Sequence, residues 1–406
     1  MSEKALSGIT VLDMTQFLAG PVCTLSLGMM GADIIKIERP EVGEQGRSDN
    51  HKYVYGERSL KWDILHSNKR SISLDTKSPE GKKILEELVK KADVLVENFA
   101  PGTIERMGFG YDHLKELNPR IIFCQIKGYS DYSPYKNFPA MDGPVQCTGG
   151  VAAQTGLLDS APVVSSIALA DAPTGDYALA GILAALYQRE KTGRGQVVRV
   201  NMQEVLLAYG RASFTNQTTS PKRGGAMLFA GRQAPRGMFR CKPAFEGDED
   251  NYAFIMVRDT PGQKQWKAFT DAIGRPELFE DPRFIDGNHR LDNVEETNAI
   301  VTEWTMQHDK REVMTILCQA GLPAGAVLTI PDICQSPDMY ESGFLVKYTD
   351  SKLGEVTIPS SAIHLSDSPV DMFEAPNLGD ANEDVYKGML GMTDEQLAEL
   401  KEKKVI

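Results

Sequence analysis

Strand-like and helix-like segments alternate along residues 9–127, and this most restricts what the chain can fold into. Ile9–Met14 reads as a strand, Pro21–Met30 as a helix with proline in its first turn, and Asp33–Glu38 as a second strand. Ser71–Leu74 is strand-like. Ser78-Pro79-Glu80 then opens a helix running to Lys91, with serine as N-cap and proline at the first helical position. Asp93–Glu97 is again a strand, Pro101–Met107 and Tyr111–Asn118 are short helices, and Ile121–Lys127 is a further strand. Strand–helix–strand units of this kind predict a parallel, doubly wound α/β sheet, because parallel strands need a crossover between them.

Beyond this region, Gly143–Ala170 is small and uncharged apart from Asp159, which predicts a buried stretch. It leads into a helix over about Pro173–Lys191, ended by Thr192-Gly193-Arg194-Gly195, with strand-to-helix character at Gln196–Met202. Ser220–Gly237 is rich in Gly, Arg and Pro and marks a boundary. The expected organisation is a large domain over 1–219, a linker at 220–237, a small α+β domain at 238–322 and a return to the large domain over 323–406. The small domain carries strands at Met238–Lys242 and Tyr252–Val257 and helices between Pro261 and Ala320. The last segment has strand-like pieces at Phe344–Tyr348 and Val356–Ile358 and a terminal helix near Thr393–Lys403.

Forty-four Lys plus Arg face 56 Asp plus Glu, a formal net charge of −12, so nucleic acid or an anionic membrane would be repelled by the average surface. The N-terminus lacks the apolar run of a secretion signal. No apolar stretch approaches the roughly 18 residues of a membrane span, so a cytoplasmic protein is expected. The six cysteines are scattered without a CxxC pair and read as buried thiols. The six histidines have no zinc-ligand spacing, so no metal is expected.

Two places carry chemistry. The first strand–helix–strand unit ends at Glu38, where a ribose-binding acid would sit, but its loop reads Thr15-Gln16-Phe17-Leu18-Ala19-Gly20-Pro21. That loop lacks the glycine spacing that lets a pyrophosphate approach the backbone, and Phe17 and Leu18 would block it. Asp171 follows the apolar run Ile167–Ala170 and precedes Ala172-Pro173-Thr174-Gly175. It reads either as an N-cap aspartate or as a partly desolvated carboxylate at a helix start, able to act as a nucleophile on a carbonyl.

Over nearly its whole length the chain resembles the class III CoA-transferases. The resemblance rests on Gly31-Ala32-Asp33-Ile34-Ile35-Lys36-Ile37-Glu38-Arg39-Pro40, Asn68-Lys69-Arg70-Ser71-Ile72, Val96-Glu97-Asn98-Phe99, Ala170-Asp171 with Thr174-Gly175, and Glu190–Gln196. Gly321-Leu322-Pro323 and Asn377-Leu378-Gly379-Asp380 add to it. It implies a Rossmann-like large domain, a smaller α+β domain and two interlocked protomers, or a heteromer with a similar chain. It also implies CoA transfer between carboxylic acids through Asp171, with acyl-CoA as substrate and no permanently bound cofactor. By the same resemblance CoA would run along Leu18, Ala19, Arg39, Leu74, Asp75, Thr76, Lys77, Asn98, Phe99, Ala100 and Arg106, with Met141 and Asp142 beside the reacting centre. Arg39 and Arg106 supply cations for phosphates, and Phe99 a surface for adenine or pantetheine.

Formyl-CoA transferase has Gln, Trp and Tyr where this chain has Leu18, Asp49 and Met141, and a tetraglycine loop that this chain lacks. Gly224–Gly231 offers Met227, Leu228 and Phe229 instead, so the expected acceptor is larger than oxalate, with succinyl-CoA a possible donor. Asp142 and Gln146 retain an acid and an amide common in the family. A CoA-thioester racemase or epimerase is the alternative, but its usual histidine has no counterpart, because no His lies between His113 and His289. A mainly structural subunit of a heteromeric transferase is the other alternative, and Asp171 speaks against a passive role.

Overall fold

The computed structural model describes residues 3–47, 54–55, 58–156, 160–216, 234–245, 247–351 and 354–406. The strand-like runs of the first half form six strands: β1 (Thr10–Met14), β2 (Asp33–Glu38), β3 (Arg70–Ser73), β4 (Val94–Glu97), β5 (Ile122–Lys127) and β6 (Val197–Asn201). They make one sheet in the order β3-β2-β1-β4-β5-β6, and every neighbouring pair is parallel. Leu12 lies in register with Ile35 on one side and Leu95 on the other.

Successive residues of a strand point to opposite faces, and both faces of this sheet are covered. Leu12, Ile35, Leu95 and Phe123 pack with Ile84, Leu85 and Leu88 of α2 (Pro79–Lys91) and with Val385, Tyr386 and Leu397 from near the C-terminus. Val11, Ile34, Val94 and Ile122 pack on the other face with Cys23 and Leu27 of α1 (Ala19–Met29). Ala178, Ile182 and Ala185 of a long helix (Asp171–Thr192) complete that face. The sequence reading of a doubly wound parallel sheet therefore holds. The α2 start lies where Ser78-Pro79 puts it, with the Ser78 hydroxyl accepting from the Gly81 amide at 3.0 Å.

The described chain divides into two compact units: Met1–Ala152 with Val164–Ala212 and Pro337–Ile406, and Ala153–Val163 with Ser213–Ser336. The second contains a three-stranded antiparallel sheet of β7 (Arg236–Arg240), β8 (Tyr252–Met256) and β9 (Ala324–Ala326), with β8 central. Trp266, Phe269, Phe284, Val313 and Leu317 fill its core. Leu345–Asp350 and Gly354–Pro359, which the sequence marks as strand-like, pair as an antiparallel hairpin in the first unit.

Three local expectations change. The long helix begins at Asp171, two residues before Pro173. Of the cysteines, Cys23, Cys124 and Cys241 are buried, but Cys147 and Cys318 are exposed and Cys334 is half-buried. The uncharged stretch 143–170 is only partly buried: Val145 and Gln146 are enclosed, whereas Val164 and Ile167 are 43% and 70% exposed. Lack of charge there reflects apolar surface as well as core.

Candidate active site

In an open parallel sheet the loops after two strands diverge where strand order reverses, leaving a crevice at their carboxyl ends. Here the reversal lies between β1 and β4. A cleft of about 530 Å³ opens there, lined by Gln16–Ala19 after β1, Asn98–Pro101 after β4, and Gly128, Tyr129 and Lys136–Met141 after β5. Asp171 and Met202 complete it. Asn98 ties two of these loops together: its Oδ1 accepts from the Gln16 amide at 2.8 Å and its Nδ2 donates to the Gln16 carbonyl at 2.7 Å.

Asp171 reaches the cleft because α1 and the long helix, α4 (Asp171–Thr192), pack closely. A Cβ at Gly175 would lie 2.7 Å from the Ala19 carbonyl oxygen and 2.9 Å from Val22 Cβ, so only glycine permits this approach. Gly128 plays the same part in the opposite wall, where a Cβ would meet that of Ala140 at 2.0 Å.

Asp171 is not the N-cap of its helix. The N-cap position is Ala170, whose side chain caps nothing, and the free amides at this helix start go instead to Asp142, at the start of α3 (Asp142–Thr148), whose Oδ1 accepts from the Ala170 amide at 2.7 Å and the Asp171 amide at 3.2 Å. Asp142 Oδ2 accepts from Gln146 Nε2 at 2.6 Å. The buried Gln146 in turn holds the incoming loop, donating to the Ser165 carbonyl at 3.1 Å and accepting from the Ser165 amide at 2.9 Å. The Thr174 hydroxyl donates to the Ala170 carbonyl at 2.6 Å.

The Asp171 carboxylate itself accepts no hydrogen bond from the described residues. Burial, and next the nearby Asp142 charge, push its carboxyl up to about 6, against an opposing pull from Lys61. A half-buried carboxylate without donors is poorly stabilised as an anion and correspondingly nucleophilic.

A second cleft, of about 290 Å³, shares Gln16, Phe99 and Thr103 with the first and carries Arg39, Leu74, Thr76 and Lys77. Of the residues singled out from sequence, Leu18, Ala19, Asn98, Phe99, Ala100 and Met141 therefore meet Asp171 in one cleft, and Arg39, Leu74, Thr76 and Lys77 line its neighbour. Leu74 is 1% exposed. Asp75 and Arg106 line neither cleft. Asp75 Oδ1 accepts from the Lys77 amide at 3.0 Å, and Arg106 Nη2 donates at 2.9 Å to the hydroxyl of Thr103 in the shared wall. Asp142 stands behind Asp171, holding its amide. Asp49 and Met227–Phe229 fall outside the described residues.

The sequence reading missed Gln16, Tyr129, Lys136 and Phe138. The available signal was position: each lies in a loop just after β1 or β5, at the strand ends where a doubly wound sheet opens its crevice. Among the described residues no group of three His, Cys, Asp or Glu side chains could hold a metal ion, and no helix is long and apolar enough to cross a membrane.

The chain is similar to known proteins from end to end. A proteobacterial relative, the formyl-CoA:oxalate CoA-transferase of Escherichia coli, is 36% identical over 99% of both chains. An enzyme of the same name from Streptomyces coelicolor is 38% identical over the full length of both. Among solved structures, a CAIB/BAIF family protein from Brucella suis superposes with a TM-score of 0.82 at 27% identity, covering 95% of this chain and all of the other. The sequence pattern described as CoA-transferase family III matches residues 6–382, which take in both clefts and Asp171, and the protein is an enzyme of that family.

Proposed function

We propose that the protein moves CoA from an acyl-CoA donor to a carboxylic acid, with Asp171 as nucleophile and the adjoining clefts as the CoA site. The observation that carries this reading is the Asp171 carboxylate, which lines the cleft without a hydrogen-bond donor among the described residues while Asp142 holds its amide. The carboxylate attacks the thioester carbonyl, and the C–S bond breaks to give a mixed anhydride and CoA thiolate. The thiolate then attacks the aspartyl carbonyl, expelling the donor acid and leaving an aspartyl-CoA thioester. The acceptor carboxylate attacks this thioester and releases CoA thiolate. Attack of the thiolate on the acceptor's carbonyl gives the new acyl-CoA and restores Asp171. No water enters, so thioester energy is conserved. Hydroxylamine added during turnover should yield a hydroxamate at Asp171, detectable by peptide mass spectrometry, and label at another residue would overturn the assignment.

Arg39 and Lys77, both exposed in the second cleft, supply cations for the nucleotide phosphates, with Arg106 beside them. Phe99, in the wall common to both clefts, supports packing of the pantetheine or adenine. No histidine lines either cleft among the described residues, which weighs against racemisation. Exposed Tyr177, Tyr187 and Tyr209 support association of two copies.

The nucleophile must be ionised to attack, and its raised pKa sets the acid limb. We expect kcat/KM to fall about tenfold per pH unit below about pH 6. A limb near pH 4 would mean that burial does not perturb this carboxyl.

The acceptor we propose is larger than oxalate, although the relatives above are named for oxalate. Leu18, Phe17, Phe138 and Met141 face the cleft with apolar side chains that offer oxalate's second carboxylate no donor. Burying an alkyl or aryl group against them contributes about 1.5–3 kcal/mol, a roughly ten- to hundredfold preference. The comparison is kcat/KM for oxalate and formate against substituted succinates with one donor. Higher values for the small acids would give this chain the substrates of its relatives.

A further inference from the structure

In the loop Thr15–Leu18, Gln16, Phe17 and Leu18 line the Asp171 cleft and Thr15 lines its neighbour, and side chains with no part in the covalent steps hold this loop, among them Glu44 from the wall of the second cleft. Phe17 has φ 64°, a left-handed conformation unfavourable for a residue with a bulky side chain. Its amide donates to Glu44 Oε1 at 2.8 Å. Lys36 Nζ donates to the Thr15 carbonyl, and Asp13 Oδ1 accepts from the Thr15 amide and hydroxyl at 2.8 and 2.6 Å. Lys36 also pairs with Glu44 at 2.6 Å and stands 3.7 Å from Asp13, while Lys69 bonds Asp13 Oδ2 at 3.1 Å. The Glu44 amide donates to Glu38 Oε2 at 3.0 Å, and Arg47 clamps that carboxylate.

Asp13, Lys36, Glu44 and Lys69 are all less than a tenth exposed. Buried ion pairs return little net stability compared with apolar side chains of the same volume. These pairs, however, have direction: from Asp13, Lys36 and Glu44 they end on polar atoms of Thr15 and Phe17. We propose that Glu44 is a positioning residue for acyl-CoA, holding Phe17 directly and Thr15 through Lys36 so that the loop keeps the one conformation that shapes the cleft. The proposal rests on the reading of this cleft as the acyl-CoA site.

The test uses the full chain. Glu44→Ala removes the acceptor of the Phe17 amide, whereas Glu44→Gln keeps an oxygen there and loses only the charge. Glu44→Ala should raise KM for the acyl-CoA donor about tenfold, with kcat changed less than about threefold, and Glu44→Gln should recover most of the loss. CoA affinity by titration calorimetry should weaken in step. In a Phe17→Gly background, where positive φ carries no penalty, the Glu44→Ala effect on KM should shrink. An unchanged KM with a lower melting temperature would reduce Glu44 to a structural role and overturn the proposal, as would an undiminished effect in the Phe17→Gly background. Should Glu44→Ala not fold, Phe17→Val against Phe17→Gly carries the test, because the β-branched residue resists positive φ without touching a buried charge. Equal KM values for that pair would also overturn the proposal. Asp171→Asn in the same titration separates the two readings: CoA binding without turnover supports the cleft assignment independently of Glu44, and loss of the Glu44 effect alone defeats only the positioning role.

Discussion

Asp171→Asn should abolish CoA transfer and at the same time make the protein more stable. An amide cannot attack the thioester, so turnover should drop by a factor on the order of 10³ or more. The stability gain follows from the raised carboxyl. Burial and the Asp142 charge take Asp171 from its ordinary 3.8 to about 6, so the folded state holds this proton more tightly than the unfolded chain does. The resulting destabilisation is full above about pH 6 and disappears as pH falls below the unfolded value. Asparagine removes the charge and, on the order of 1–3 kcal/mol at pH 7, the penalty with it. Urea denaturation of both proteins at pH 7 and pH 4 measures this: the gap should narrow at the lower pH. Substantial turnover by the variant, with mass spectrometry excluding deamidation to Asp171, would remove Asp171 from the mechanism.

Asp13→Ala should act in the opposite sense, costing about 3–5 kcal/mol, because it leaves Lys36 and Lys69 buried beside an empty position. Asp13 is fully buried. Burial alone would raise its carboxyl, but Lys36, Lys69 and the Thr15 donors outweigh it and hold the group well below the usual carboxylate range. A depressed folded pKa gives stability that is present above the ordinary value of 3.8 and is lost as pH falls toward the folded one. The wild type should therefore lose part of its stability below about pH 4, and that part of the acid limb should be missing from Asp13→Ala. Chemical denaturation from pH 7 to pH 3 reads both effects. A loss under about 1 kcal/mol at pH 7 would show that the lysines find other partners.

Much of the fold was legible in the sequence because its signals are local. Ser78-Pro79 fixes a helix start within one turn, and the strand-like run Asp33–Glu38, with Ile34, Ile35 and Ile37, becomes a strand buried on both faces. The candidate site was legible differently. Asp171 stood out from its own neighbours as a carboxylate at a helix start, whereas Leu18, Asn98, Phe99 and Met141 came from a family resemblance, since nothing local links residues so far apart. Lys136 and Phe138 went unnoticed because a loop after a strand has no period to read. Ile167 was expected inside and lies at the surface, because an uncharged composition cannot tell core from exposed apolar patch.

The covalent chain alone dictates the elements, their order and the parallel sheet that opens a crevice between the loops after β1 and β4. Which group caps the helix at Asp171 was decided only in three dimensions. A helix-start signal acts over three or four residues, whereas the carboxylate that takes the Ala170 amide belongs to Asp142, twenty-eight positions earlier. With that amide and its own already satisfied, the Asp171 carboxylate lines the cleft without a donor among the described residues. The approach of Gly175 to Ala19 and Val22, a contact between two helices more than 140 residues apart in sequence, brings it to the loop it faces. Close packing across such separations is a property of the assembled fold, and no window of sequence contains it.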